Sequence, residues 1–179
     1  MIPRALLSLS LSVLAACGGD DSNKPAPSPS QPQGTQPPAA TGPTVKPPSA
    51  DAVTFTVEGR DDMKFSVERI EVKAGQKVHI TMKNAGQLPK AAMGHNFVVL
   101  RKGVGIEDIQ ELVLPPKGTL ENDYLPEEAR KHVLAATRIL GPGESESIEF
   151  TAPGLPCELV YVCTFTGHLA TMNGKIIVQ

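Results

Sequence analysis

The sequence predicts an all-β protein: a Greek-key β-sandwich over residues 51–179 with one short inserted helix. Three observations carry this. Short segments with near-alternating apolar residues recur along that stretch. Turn residues separate them at hairpin-like spacing. A single segment replaces the two-residue period with a helical one.

The first segment, "AVTFTVEG", closes at Gly59. In "MKFSVERIEVKAG", Phe65 and Val67 lie on one parity and Ile70 and Val72 on the other, which predicts a bulge or bend between them. "KVHITMKN" alternates Val78, Ile80 and Met82, so His79 is expected to face solvent. "HNFVVLRK" is a more continuous apolar run. "IEDIQELV" sets Ile106, Ile109, Leu112 and Val113 at helical spacing and supplies the inserted helix. "LPEEARKHVL" adds a further turn, with Pro126 at its start and His132 on the surface. "ESIEFTAPG" alternates Ile148 and Phe150, and "ELVYVCTF" and "GKIIVQ" close the chain. Six to eight strands are expected, and 129 residues suffice for one sizeable core.

The first 50 residues have another composition. Residues 1–16 have the pattern of an export signal: Arg4 near the free amine, a short apolar run from Ala5 to Leu14, then Ala15 and Ala16. The run is too short to stay in a membrane as a spanning helix. Cys17 follows directly, so "VLAAC" resembles the lipobox of bacterial lipoproteins, which implies cleavage before Cys17 and a lipid on its sulfur. Gly18 gives a weak preference for the outer membrane. Residues 18–50 are nearly all Pro, Ser, Gly, Ala, Gln and Thr, with Val45 the one large aliphatic residue. Such a stretch buries too little apolar area to offset its ordering entropy, so residues 17–50 are expected to be a disordered tether. As a coil it would span roughly 30 Å, and fully extended about 100 Å. Setting aside Arg4, Lys24, Lys46, Asp20 and Asp21 leaves 14 basic against 17 acidic residues in the expected domain. That balance, with no basic run and no Gly-rich phosphate loop, argues against nucleic-acid and nucleotide binding.

The chemistry concentrates in "CTFTGHLATM", Cys163 to Met172. On a strand Cys157, Leu159, Tyr161 and Cys163 share a parity. If Leu159 and Tyr161 face the core, Cys163 faces inward at the strand's end. A tight turn at Gly167 then brings His168 and Met172 back over that end. Thiolate, imidazole and thioether are soft or borderline donors, better suited to copper than to magnesium or calcium. Zinc takes Cys and His but seldom Met. A trigonal Cys and two His with a long axial Met is the geometry of an electron-transfer copper centre. The second His must come from His79, His95 or His132. His95, after a glycine in "AMGHNFVVL", is the best placed.

These residues resemble the azurin family, small blue copper proteins of the cupredoxin fold. "LPKAAMGHNFVV" is similar to the segment holding the first His ligand there, and "CTFTGHLATMNGKIIV" to the segment holding the others, with the same spacing. "VEGRDDMKFS" and "NDYLPEEARKHVLAATRILGPGESESIEF" follow the same pattern. The resemblance implies His95, Cys163 and His168 as a trigonal plane around one copper, Met172 as a weak axial ligand and the Gly94 carbonyl opposite it. It also implies that Asn96 braces the ligand loop and that the Phe165 amide hydrogen-bonds the Cys163 sulfur. Met63, Leu88, Ala92, Met93, Phe165, Gly167 and Ala170 match an apolar docking patch around the exposed edge of His168.

The departures are specific. The family's N-terminal disulfide falls near Val53 and Gly75 here, so that bridge is absent. Its core tryptophan is Phe97, its loop proline is Thr166, and a histidine that tunes the centre with pH is Asn84. Cys157 has no assigned partner and reads as a buried small hydrophobe. A second metal thiolate, or zinc held by Cys157, Cys163, His95 and His168, fits the spacing less well.

The implied function is that of a monomeric one-electron carrier, not an enzyme, in the periplasm or anchored to the membrane through Cys17. Its implied partners are redox proteins such as c-type cytochromes and a terminal reductase or oxidase. The alternative is a copper buffer or delivery protein, which would normally carry an exposed Met- or His-rich motif.

Overall fold

The computed structural model describes residues 49–179. The expected signal peptide, Cys17 and all but the last two residues of the expected tether lie outside the described residues.

Two sheets face each other. In the first, β1 (Val53–Arg60) lies between β2 (Lys64–Phe65) and β4 (Lys77–Asn84), and β7 (Ser145–Thr151) forms the far edge. In the second the order is β3 (Arg69–Val72), β9 (Asn173–Val178), β8 (Cys157–Val162), β5 (Val98–Leu100) and β6 (Val133–Ala136). β1 runs parallel to β4, and β3 parallel to β9; the other pairs are antiparallel. The fold is the all-β sandwich expected, with nine strands among the described residues.

The parity change after Val67 is resolved as more than a bulge. β2 pairs with β1 in one sheet, and β3 pairs with β9 in the other. The chain crosses between sheets at Ser66–Glu68, so each half offers its own parity to one core. Phe65 and Ile70 are both buried there.

The core between the sheets holds Val57, Ile70, Val78, Ile80, Met82, Phe97, Leu159 and Tyr161. Each such large side chain taken from water contributes about 1.5–3 kcal/mol. The rings of Phe97 and Tyr161 stack at 4.6 Å, with Phe65 edge-on to both at 5.3 and 5.4 Å. Phe97 thus sits inside an aromatic cluster at the centre of the core.

A second apolar cluster lies on the outer side of β5 and β8, where Val98, Leu100 and Val162 meet α2 (Ile106–Val113) and α3 (Glu127–Arg130). This cover explains the continuous apolar runs of those strands, since both faces are buried. α2 turns Ile109 and Val113 inward and leaves Ile106 and Leu112 half-buried. The Asp108 carboxylate accepts the Gly105 N–H at 2.8 Å and caps its start. α3 is one turn, with Pro126 at the N-cap. Val133 and Leu134, read with that turn, instead open β6, because Val133 pairs with Leu100 across the sheet.

Two surface assignments change. His79 lies on the outer face of β4 but is 2% exposed, with Nδ1 3.7 Å from Oε2 of its cross-strand neighbour Glu149. Alternation identifies the face, not what overlies it. Ser49 is held on the same carboxylate through its N–H and hydroxyl, at 3.0 and 2.5 Å. Cys157 is half-buried at the edge of the core instead of enclosed.

Candidate metal centre

Four segments end at one pole of the sandwich. β8 runs out at Val162 and delivers Cys163. β9 begins at Asn173, just after Met172. α1 (Lys90–Met93) is a single turn that leads through Gly94 into His95, ahead of β5. β1 passes beneath at Gly59.

The expected parity of β8 holds: Leu159, Tyr161 and Cys163 are all turned inward. The loop from Cys163 to Met172 then closes on itself. Cys163 N–H donates to the Met172 carbonyl at 2.9 Å, His168 N–H to Phe165 at 3.0 Å, and Met172 N–H to His168 at 2.7 Å. Gly167 takes φ 86 at the turn, a left-handed conformation that costs glycine little and a residue with Cβ more. His95 is fixed on the other side by a two-bond bridge to Leu140, N–H to carbonyl at 3.1 Å and back at 2.7 Å.

Three ligand atoms converge. His95, Cys163 and His168 are buried, and their ligand atoms lie within 4.8 Å of one another. Cys163 Sγ is 4.0 Å from His95 Nδ1 and 3.6 Å from His168 Nδ1. Bonds of about 2.0–2.3 Å to nitrogen and sulfur would set trigonal ligand atoms about 3.5–4 Å apart, so these spacings fit a single ion at the centre. Met172 is fully buried beside them. A Cβ added at Gly59 would stand 2.8 Å from Met172 Cε and 3.1 Å from His95 Cδ2. Glycine there leaves the room in which the thioether and imidazole sit together. His79 and His132 are not part of the cluster.

Burial keeps the metal-free ligand groups uncharged. Burial pushes the Cys163 thiol up to about 12, although the amides of Asn96 and Phe165 donate toward its sulfur and oppose that shift. Burial pushes His168 down to about 4, helped by His95. His95 is also lowered by burial, against the charge of Asp61 and the Arg60 backbone. The imidazoles are therefore held neutral, the form that ligates. The thiol lacks only a positive charge to become a thiolate, and a coordinated metal supplies it. Three soft or borderline donors with a thioether fit one type 1 copper per domain.

Asn96 and Thr164 tie the two ligand segments together. Thr164 N–H donates to Asn96 Oδ1 at 2.8 Å, and Asn96 Nδ2 donates to Thr164 Oγ1 at 2.7 Å. Asn84, buried, donates through Nδ2 to the Leu140 carbonyl at 2.9 Å and accepts the Gly86 N–H at 2.8 Å, so no titrating group stands there. The surface around the site differs from expectation at two points. His168 is 2% and Phe165 6% exposed, because the Phe165 ring turns inward and packs at 4.7 Å on the His168 ring. Leu88, Ala92, Gly167 and Ala170 are exposed, and Met63 and Met93 are half-buried. Thr164 and Gly59 escaped the sequence reading. Thr164 had one signal, its place next to Cys163. Gly59 had none, because its role is the absence of a side chain.

Comparison with known proteins agrees with this geometry. Residues 51–179 match the family of copper binding proteins described as plastocyanin/azurin. Outer membrane protein H.8 of Neisseria meningitidis serogroup B is 40% identical over 124 residues, 68% of this chain and 64% of that protein's length. The chain thus spans less than two thirds of that relative. Azurin of Alcaligenes faecalis is 35% identical over 70% of this chain and 97% of its own. Among solved structures, dithionite-reduced auracyanin from Roseiflexus castenholzii superimposes with a TM-score of 0.59 at 31% identity, covering 70% of this chain and 96% of that one.

Proposed function

Since this chain belongs to the plastocyanin/azurin family of copper-binding proteins, we propose that it is a one-electron carrier of the bacterial cell envelope, working through a single copper at His95, Cys163, His168 and Met172. The convergence of three buried ligand atoms within 4.8 Å of one another carries this reading.

Copper supplies the one-electron chemistry. The chain's own residues hold the ligands still and keep water out. The Cys163–Met172 loop is closed by its own backbone bonds, and the Asn96–Thr164 pair joins it to the His95 segment. Two oxidation states with different preferred geometries then meet one rigid ligand set, which keeps the reorganisation on electron transfer small. The amides of Asn96 and Phe165 stabilise negative charge on Sγ. In this reading the Gly94 carbonyl, next to His95 in the chain, would be a further weak donor to the ion.

Partners dock on the apolar surface formed by Met63, Leu88, Ala92, Met93, Gly167 and Ala170, above His168. Such a weakly hydrated patch suits brief contact with c-type cytochromes and a terminal reductase or oxidase. A lipid on Cys17 would anchor the chain, and residues 18–50 would hold the domain off the surface. The name of the Neisseria relative, an outer membrane protein, supports that side of the envelope.

The deciding experiment is a visible and EPR spectrum of the full chain titrated with copper(II) and then reduced with ascorbate. An intense blue band with narrow copper hyperfine splitting, bleached and restored reversibly, is expected. A colourless copper complex, or tight zinc binding in preference, would point to metal storage and sink the electron-carrier reading.

A further inference from the structure

Two consecutive non-glycine residues behind the ligand loop have left-handed backbone: Asp123 with φ 57 and Tyr124 with φ 52. Such geometry persists only where the surroundings hold it, and it concentrates at functional sites. Asp123 ends the 3-10 turn Leu120–Asn122. Its carbonyl accepts from Asn96 Nδ2 at 3.0 Å and from the Thr164 hydroxyl at 3.5 Å. Its carboxylate Oδ1 accepts the N–H of fully buried Ile139 at 2.8 Å. The next residue, Leu140, exchanges both backbone bonds with His95. The Tyr124 ring lies 4.9 Å from Phe165, which packs on His168.

We propose that the Asp123–Tyr124 corner is a positioning element of the copper centre, joining the Ile139–Leu140 segment that bridges to His95 to the loop that carries Cys163 and His168. It rests on the copper reading above. One residue reaches both ligand segments: the carbonyl through the Asn96–Thr164 pair, the carboxylate through Ile139 and Leu140. Deleting the carboxylate leaves a buried N–H without its acceptor and frees the His95 side of the site. Partners of this kind behind metal ligands typically change affinity 10–100-fold.

Two substitutions in the full chain separate positioning from scaffolding. Asp123→Gly keeps the left-handed backbone and the carbonyl but removes the carboxylate. Asp123→Asn keeps an oxygen acceptor and tolerates the same φ. The copper-loaded proteins are mixed with excess chelator, and copper release and EPR hyperfine splitting are recorded. D123G is expected to release copper about tenfold faster, with a larger splitting, and D123N to stay within about twofold of the unsubstituted chain. A D123G protein that is less stable yet matches the unsubstituted chain in release and splitting would make the corner mere scaffold. A D123N protein as fast as D123G would also overturn the proposal, since the bond and not the charge is claimed. Should D123G fail to fold, hydrogen exchange on the unsubstituted chain decides. The Ile139 amide should slow on copper loading by more than the amides of β4 do, and equal slowing refutes the coupling. If the unsubstituted chain never turns blue, the copper reading falls too; a blue parent with indifferent variants sinks this proposal alone.

Discussion

Glu144 gathers the Gly141 N–H at 2.8 Å and Arg138 Nη1 at 3.0 Å on one carboxylate oxygen, with Lys90 Nζ at 3.7 Å. Partial burial opposes the charge, but the Gly141 amide, the Arg138 guanidinium and Lys90 outweigh it and hold the carboxyl below its ordinary range. A depressed folded pKa means the contribution is complete above the unfolded value near 4.3 and disappears as pH falls through the folded value. Glu144→Gln should therefore lower stability at pH 7 by up to about 1 kcal/mol, a figure kept small because the side chain is a third exposed and screened. Once pH has fallen below the depressed folded value, the two proteins should converge. Urea unfolding at several pH values measures this, and a gap that stays constant into acid would discard the charge argument. Residues of this kind are poorly legible from sequence. The copper ligands were readable because Cys, His and Met at that spacing have few uses. The importance of Thr164, Asp123 and Gly59 depends on what stands opposite them, and His79 was misplaced for the same reason.

At the level of elements, the crossing at Ser66–Glu68 is pinned by one side chain. The hydroxyl of buried Tyr161 on β8 donates to the Val67 carbonyl. Glycine at 174 makes room for that ring, since a Cβ there would come within 2.3 Å of it. The bond holds the point where the chain leaves one sheet for the other, so Tyr161→Phe should destabilise the domain by about 1–2 kcal/mol with the blue band retained. A lower urea midpoint with an unchanged m value is the expected signature. An unaltered midpoint would show that the crossing holds without the hydroxyl. Alternation located β1, β4 and β7, because each buries one face against a single core, and helical spacing located α2. It could not show that β2 and β3 belong to different sheets, since a change of parity reads the same for a bulge and for a crossing. β6 was missed because its four residues follow a helical turn and owe their extended form to pairing with β5.

On the scale of the whole molecule, the ligands come from two segments 68 residues apart, His95 and Cys163, and only the closed sandwich brings them together. Copper binding and folding are therefore linked: an ion that binds the folded chain and not the unfolded one stabilises it by mass action. The protonation states add a quantitative expectation. At pH 6 to 8 the thiol of Cys163, pushed up to about 12, carries a proton that a bound metal must displace. His168, pushed down to about 4, carries none to lose, and His95, lowered by burial, carries less than an ordinary imidazole would. Copper(II) should thus release about one proton per ion at pH 8, with at most a fraction more from His95 as pH falls to 6. Ordinary imidazoles, with pKa near 6.5, would add more than one further proton at pH 6 and almost none at pH 8. Calorimetric titration in buffers of different ionisation enthalpy counts the protons directly. A count near one at pH 8 that rises by at most a fraction at pH 6 supports a site whose imidazoles are kept neutral by burial. A count that climbs above two as pH falls to 6 would mean that the metal-free pocket opens to water and that the copper itself closes it.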